Sequence, residues 1–129
     1  MANMAQRMSG ANFQRPLRLV NAAQFDAVFR RGSRSADQWF TILYRDNQSG
    51  HARVGLALAK KRIRHATQRN RIKRLVRESF RLHRDDLPAV DLVVMARDAA
   101  AVASNAQLHG SLQRHWQRIA KDKQQGKHG

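Results

Sequence analysis

Between residues 60 and 84 lie Lys60, Lys61, Arg62, Arg64, Arg69, Arg71, Lys73, Arg74, Arg77, Arg81 and Arg84, eleven of the 25 lysines and arginines, with Glu78 the sole acid among them. On a helix turning about 100° per residue, Ile72, Leu75, Val76, Phe80 and Leu82 fall in one arc with Ser79 and His83. Lys73, Arg84, Arg77, Asn70, Arg81 and Arg74 follow one another across about 100° of the far side. An exposed helix ordinarily mixes Glu with Lys and gains i,i+4 pairs, whereas a face of one sign repels itself until a polyanion binds. Arg outnumbers Lys on this face, and a guanidinium fork matches two phosphate oxygens where an ammonium acts as a point charge. The chemistry these residues can do is recognition of a phosphate backbone. The plainer alternative is a solvated surface, which is what most charged helix faces are.

The groups that bond-breaking chemistry would need do not gather. Clustered carboxylates hold the cations of a metal-dependent nuclease, and a general base needs a His oriented by a partner. The nine acids are Asp26, Asp37, Asp46, Glu78, Asp85, Asp86, Asp91, Asp98 and Asp122. Only Asp85-Asp86 adjoin, at the foot of the basic helix two residues before Pro88, where a stop signal is the simpler reading. His51, His65, His83, His109, His115 and His128 have no ligand spacing and read as surface or partly packed side chains. Gly32, Gly50 and Gly55 stand singly at a cap, a turn and a strand, so no glycine-rich phosphate loop exists. The sequence argues for a binder with no catalytic residue and no metal or cofactor site of its own.

A net charge of +16 on 129 residues favours nucleic acid or an anionic membrane as partner and makes association fast and salt-sensitive. The membrane reading is the weaker, because the apolar arc holds one aromatic and is needed for a core. No run has the length of a membrane span, no secretory signal opens the chain, and cysteine is absent, which fits a reducing compartment and points to the cytoplasm.

The elements that must position the basic helix follow in order. Residues 1–16 lack periodicity and read as a flexible arm, with Arg7 and Arg15 in it and Arg18 just beyond able to reach RNA. Asn21 and Gln24 form a capping box for a helix over 22–31, with Phe25, Val28 and Phe29 on one face and Gly32 as C-cap. Residues 33–36 can add a short strand. Strands follow at 39–44 and 53–59, joined by Asp46-Asn47-Gln48-Ser49-Gly50, a composition that suits a hairpin. The basic helix over 67–83 leads to an apolar run at 91–96, typical of a strand covered on both faces. Ser104 and Gln107 make a second capping box for a helix with Leu108, Leu112, Trp116 and Ile119 on its face. Residues 121–129 read as a polar tail, leaving one domain over 17–120. The order implies an α+β fold, a two-layer sandwich of helices on a small central sheet. Five of the eight aromatics lie between Phe25 and Tyr44. Phe25 and Phe29 are one helical turn apart, and Phe40, Ile42 and Tyr44 alternate onto one strand face. Aromatics so spaced are usually core; beside a basic rim they could instead stack single-stranded RNA at about 1–3 kcal/mol per base.

The run Ala66-Thr67-Gln68-Arg69-Asn70-Arg71-Ile72-Lys73-Arg74-Leu75-Val76-Arg77-Glu78-Ser79-Phe80, preceded by Arg53-Val54-Gly55-Leu56 and Lys60-Lys61, resembles the signature of the protein subunit of bacterial ribonuclease P. The resemblance spans roughly residues 17–120, through Leu19, Phe25, Phe29, Gly32 and Leu43-Tyr44 upstream and residues 91–97 downstream. It implies a left-handed βαβ crossover around the basic helix. It also implies assistance to a catalytic RNA, which carries the Mg2+ and removes the 5′ leader of precursor tRNA. Lys60, Lys61, Arg62, Arg69, Asn70, Arg71, Lys73, Arg74 and Arg77 would bind that RNA. Phe25, Phe29 and Tyr44, with Phe40 grouped beside them, would line a cleft for the leader. No protein partner and no membrane are implied. A stand-alone RNA-binding protein, such as a ribosomal protein or RNA chaperone, is the alternative that composition alone leaves open.

Overall fold

A computed structural model of the chain describes residues 22–126. The arm at 1–16, Asn21 of the first capping box and residues 127–129 lie outside this range.

Helix α1 (Ala22–Arg31) carries Phe25, Val28 and Phe29 at i, i+3 and i+4, and Val28 is fully buried. Gly32 ends it by donating its N–H to Val28 O at 2.8 Å. A Cβ here would run into Val28 O and come within 3.1 Å of Tyr44 O, so close approach of backbone, not a left-handed φ, requires the glycine. Strands β1 (Ser33–Ala36) and β2 (Phe40–Asp46) form an antiparallel hairpin, Ser33 opposite Tyr44. Asp37 shapes its turn: Oδ1 accepts the N–H groups of Trp39 and Phe40, both at 2.9 Å.

The sheet departs from the expected hairpin between residues 46 and 53. Its order is β1-β2-β4-β3, so β4 (Val90–Ala96) lies between β2 and β3 (Arg53–Leu56), antiparallel to the first and parallel to the second. The 47–52 loop therefore spans a strand instead of turning tightly, which the turn-forming composition did not reveal. Asp91 at the start of β4 secures it. Its carboxylate takes Arg53 Nε at 2.8 Å, an Arg53 terminal nitrogen at 3.0 Å and Asn47 Nδ2 at 2.8 Å, tying both ends of the loop to the strand between them.

A parallel β3–β4 pair needs a crossover, and it is helix α2 (Ala66–His83). Ile72, Leu75, Val76, Ser79 and Phe80 are buried as the arc predicts. Leu82, at the margin of that arc in the last turn, stays 67% exposed. Helix α3 (Asn105–Gly126) opens on the expected capping box, Gln107 N–H to Ser104 Oγ at 3.1 Å and Ser104 N–H to Gln107 Oε1 at 2.9 Å. It runs five residues past Lys121, where the polar tail was expected to begin; Lys123 reaches Asp46 at 3.3 Å. Leu108, Leu112, Trp116 and Ile119 are buried against α2 and the sheet, with the Trp116 and Phe80 rings edge to face at 6.1 Å. Trp116 Nε1 donates to Ser79 Oγ at 2.9 Å. Helices α2 and α3 thus form the layer over one sheet face. On the other, α1 covers Val93 with Leu43, Ala57 and Met95 around it, so β4 is enclosed on both sides as its apolar run predicts.

His115 is not the surface or partly packed side chain its sequence position implied. It is 1% exposed, with Nδ1 2.7 Å from Ser35 Oγ and Nε2 3.3 Å from Asp37 Oδ2. Ser111 Oγ donates to the same Asp37 oxygen, and Arg118 donates to Ser35 Oγ at 3.0 Å. Burial pushes the His115 pKa below 6.5, aided by Arg118 and Arg114 and opposed by Asp37. Burial raises the Asp37 carboxyl, but hydrogen bonds from Ser111, Phe40 and Trp39 outweigh it and hold the pKa below 3.8. Both groups bind fewer protons folded than unfolded, so each stabilises the fold at high pH and loses that contribution on acidification, His115 below 6.5 and Asp37 below 3.8. The urea midpoint of the parent should accordingly fall between pH 7 and pH 5, and His115→Gln should show a smaller fall over that interval. An equal fall in both would mean that His115 is not the group responsible.

Candidate nucleic-acid interface

The apolar arc of α2 fixes its outer face. With Ile72 and Val76 at zero exposure on the core side, Asn70, Arg74, Arg77 and Arg81 are exposed and Lys73 is half-buried. The turn before the helix extends this surface. Arg62 and Ile63 N–H groups both bond Ala59 O at 3.1 Å, and Ile63 is buried as an anchor. Lys60, Lys61, Arg62 and Arg64 therefore stand out around it. Arg62 is 3.6 Å from Asp98; this exposed pair contributes little to stability but offsets some of the local positive charge. Six of the nine cations and amides predicted to bind RNA, Lys60, Lys61, Arg62, Asn70, Arg74 and Arg77, are exposed in one continuous stretch of structure.

Arg69 and Arg71 differ. One Arg69 terminal nitrogen donates to Ile63 O at 2.8 Å and Arg64 O at 2.9 Å. The Arg71 guanidinium is half-buried and donates to Gln68 Oε1, Asn105 Oδ1 and the carbonyls of Ala100, Ala101 and Ala103. On the wheel the two flank the apolar arc, where long side chains reach neighbouring elements.

The four aromatics of the expected cleft are split by the sheet. Phe25 packs beside Val28 and Val93, and Phe29, 48% exposed, is on the same helix face. Phe40 is fully buried in the α2/α3 core, and Tyr44 is 4% exposed there. Tyr44 Oη donates to Asp122 at 2.8 Å, and burial, then Asp122, push its pKa up to about 12. Strand alternation explains the correction: even positions of β2 face α2 and α3, odd ones face α1. Leu43, half-buried beside α1, and Met95 take the places assigned to Tyr44 and Phe40. Arg34, opposite Leu43, and Arg45, two residues along the strand, give this face a basic rim. The period-2 pattern already separated Leu43 from Tyr44; which set faced α1 depended on the sheet order, which was not legible.

Among the described residues, no group of three or more His, Cys, Asp or Glu could hold a metal ion. Helices on a small mixed sheet, with a cationic crossover helix and an apolar cluster under α1 edged by Arg, define a small α+β nucleic-acid-binding protein. The family described as Ribonuclease P matches residues 13–120. The chain is 50% identical over 107 residues to the ribonuclease P protein component of Methylococcus capsulatus, covering 83% of this chain and 84% of that one. It is 48% identical over 106 residues to that of Escherichia coli, covering 82% and 89%. Among solved structures it is similar to a Staphylococcus aureus RNase P protein mutant, with a TM-score of 0.79, 32% identity and coverage of 86% and 93%. A Thermotoga maritima RNase P protein gives 0.71, 29%, and 79% and 96%. The chain belongs to the ribonuclease P protein family.

The placement of the aromatics is checked by stability. Phe40→Ala should cost about 3–5 kcal/mol and Tyr44→Phe about 1 kcal/mol in denaturant unfolding. Phe29→Ala should cost well under about 1.5 kcal/mol, because its ring is half in water. Near-neutral Phe40→Ala would contradict its burial in the α2/α3 core.

Proposed function

We propose that the chain is the protein subunit of a ribonuclease P holoenzyme and binds two RNA ligands on two surfaces. The outer face of α2 and the preceding turn, with Lys60, Lys61, Arg62, Asn70, Lys73, Arg74 and Arg77, dock on the catalytic RNA. The groove between α1 and the sheet, with Phe25, Phe29, Leu43 and Met95 and a rim of Arg34 and Arg45, takes the single-stranded 5′ leader of precursor tRNA. The observation that carries the reading is the set of exposed cations on the outer face of α2 and the turn before it, on a fold of the ribonuclease P family. The RNA subunit carries the phosphodiester hydrolysis and its Mg2+; the protein positions both RNAs and lowers their mutual repulsion. No helix among the described residues is long and apolar enough to cross a membrane; the cytoplasm, where tRNA precursors are made, is the location this function calls for.

The two surfaces obey different physics. Each phosphate contact releases counterions, so Arg74→Ala should weaken binding to the catalytic RNA by about 1–2 kcal/mol and reduce the slope of log affinity against log salt by roughly 0.7–0.9. Stacking is nearly independent of salt. Phe29→Ala should therefore lower affinity for leader-bearing precursor, leaving leaderless tRNA, the catalytic RNA and the slope unchanged. Salt titrations against the three RNAs check both. Parental slopes in Arg74→Ala would remove α2 as the docking face, and preferential enrichment of ribosomal RNA with the protein purified from cells would favour a stand-alone RNA-binding role.

A further inference from the structure

Arg69 and Arg71 lie two residues apart in the most basic stretch of the chain, yet their guanidinium groups are directed into the protein. Arg71 Nε donates to Gln68 Oε1 at 2.9 Å, one terminal nitrogen to Asn105 Oδ1 at 2.6 Å, and the other to Ala100, Ala101 and Ala103 carbonyls at 3.3, 3.4 and 3.3 Å. A guanidinium has five N–H groups. All three Arg71 nitrogens are engaged, and three of the acceptors are carbonyls at or just beyond the C-terminal end of the 3-10 turn Asp98–Ala101, where a cation is favoured. Asn105 is the first residue of α3, so one side chain joins α2, that turn and α3. Arg69 does the same for the other flank by donating to Ile63 O and Arg64 O, the last carbonyls of the turn that bears Lys60, Lys61, Arg62 and Arg64.

We propose that Arg69 and Arg71 are positioning residues: they contact no phosphate, and fasten residues 59–65 and 98–105 to the first turns of α2 so that the cations around them meet RNA in a fixed pattern. The turn at 59–65 carries four cations under mutual repulsion, which favours splaying apart. Bonds from Arg69 to its backbone oppose this with no loss of outward-facing charge. Arg62 reaches Asp98 across the two fastened segments, linking them to each other. Ordering these segments before RNA arrives removes an entropic cost from binding. The inference rests on the reading of α2's outer face as the docking surface.

Charge-conserving and charge-removing variants separate positioning from direct contact. Lysine keeps the charge but cannot reproduce the fork. Arg71→Lys and Arg69→Lys, Arg71→Gln and Arg69→Gln, and Arg74→Gln as comparator are titrated with salt against the ribonuclease P RNA transcript. Amide hydrogen exchange is followed at 59–66 and 98–108. Positioning predicts that the Lys variants lose about tenfold in affinity at the parental salt slope. Their Gln counterparts lose a similar factor at that slope, and exchange speeds up at 59–66 for Arg69 and 98–108 for Arg71. Lys variants that bind like the parent, Gln variants whose slope drops by roughly 0.7–0.9, or unchanged exchange would each overturn the proposal. A parental slope in Arg74→Gln, with the Lys variants still weakened, would instead sink the docking face and leave the fastening intact. Arg69 and Arg71 act on separate segments, so a folding defect in one leaves the other as the test.

Discussion

The parallel pairing of β3 with β4 is the constraint on which the rest of the molecule depends. Once residues 53–56 lie beside 90–96 in the same direction, the chain between them must cross one sheet face and return, and a helix is the compact way to do it. That helix must be apolar where it meets the sheet and is free to be anything on the far side. The same pairing puts β4 between β2 and β3 and leaves their connection to span a strand. Asp91 makes that tolerable, since an acid 8% exposed is retained only with partners, and Asn47 and Arg53 supply them from the two ends of the connection that spans it. A carboxylate that sequence reading treated as one of nine scattered acids is thus the fixed point of the sheet.

The cationic face of α2 is possible because packing outweighs repulsion. Like-charge pairs at helical spacing cost a few tenths of a kcal/mol each, whereas burying one large apolar side chain contributes about 1.5–3 kcal/mol. Ile72, Leu75, Val76 and Phe80 are four such side chains on this helix. Helix α3 reinforces them through the Phe80–Trp116 contact and the Trp116–Ser79 hydrogen bond. Stability therefore resides on one side of α2 and the proposed docking face on the other, and the outer residues can be of one sign without unfolding the helix.

What was legible in the sequence followed from periodicity and caps. The bounds of α1, the buried arc of α2, the β4 run and the Ser104–Gln107 box were all readable because each is local. The family was legible in the run 66–80. The errors share a cause in long-range pairing. The 46–50 stretch has turn chemistry whether its flanking strands pair or are held apart by a third. Phe40 and Tyr44 have the right alternation for either face, and only the position of α1 relative to the sheet decides between them. His115 was legible and missed: 108, 111, 112, 115, 116 and 119 make one uninterrupted helical stripe, so Ser111 and His115 had to be buried with the leucines. A polar type at an apolar position signalled a partner, found on β1 and in the turn that follows it.

The two candidate RNA surfaces lie on opposite faces of the sheet, yet they are not remote. Edge strand β3 joins them. Ala57, just past its end, packs with the apolar cluster under α1 and bonds Val94 O at 3.0 Å, and Ala59, two residues later, already supports the turn that carries Lys60 and Lys61. At about 3.5 Å per residue, Ala57 and Lys60 are separated by no more than about 10–11 Å of backbone. This separation is close to one Debye length at physiological salt, so phosphates held at the turn and in the groove would feel each other's charge. The cations there therefore have a second effect besides attraction. On the proposed two-surface reading, cations at the rim of the sheet would lie between two polyanions and reduce the repulsion that otherwise keeps a leader away from the RNA that acts on it. A protein with no metal cluster among its described residues can assist hydrolysis in this way, through the position of its charges along a sheet edge.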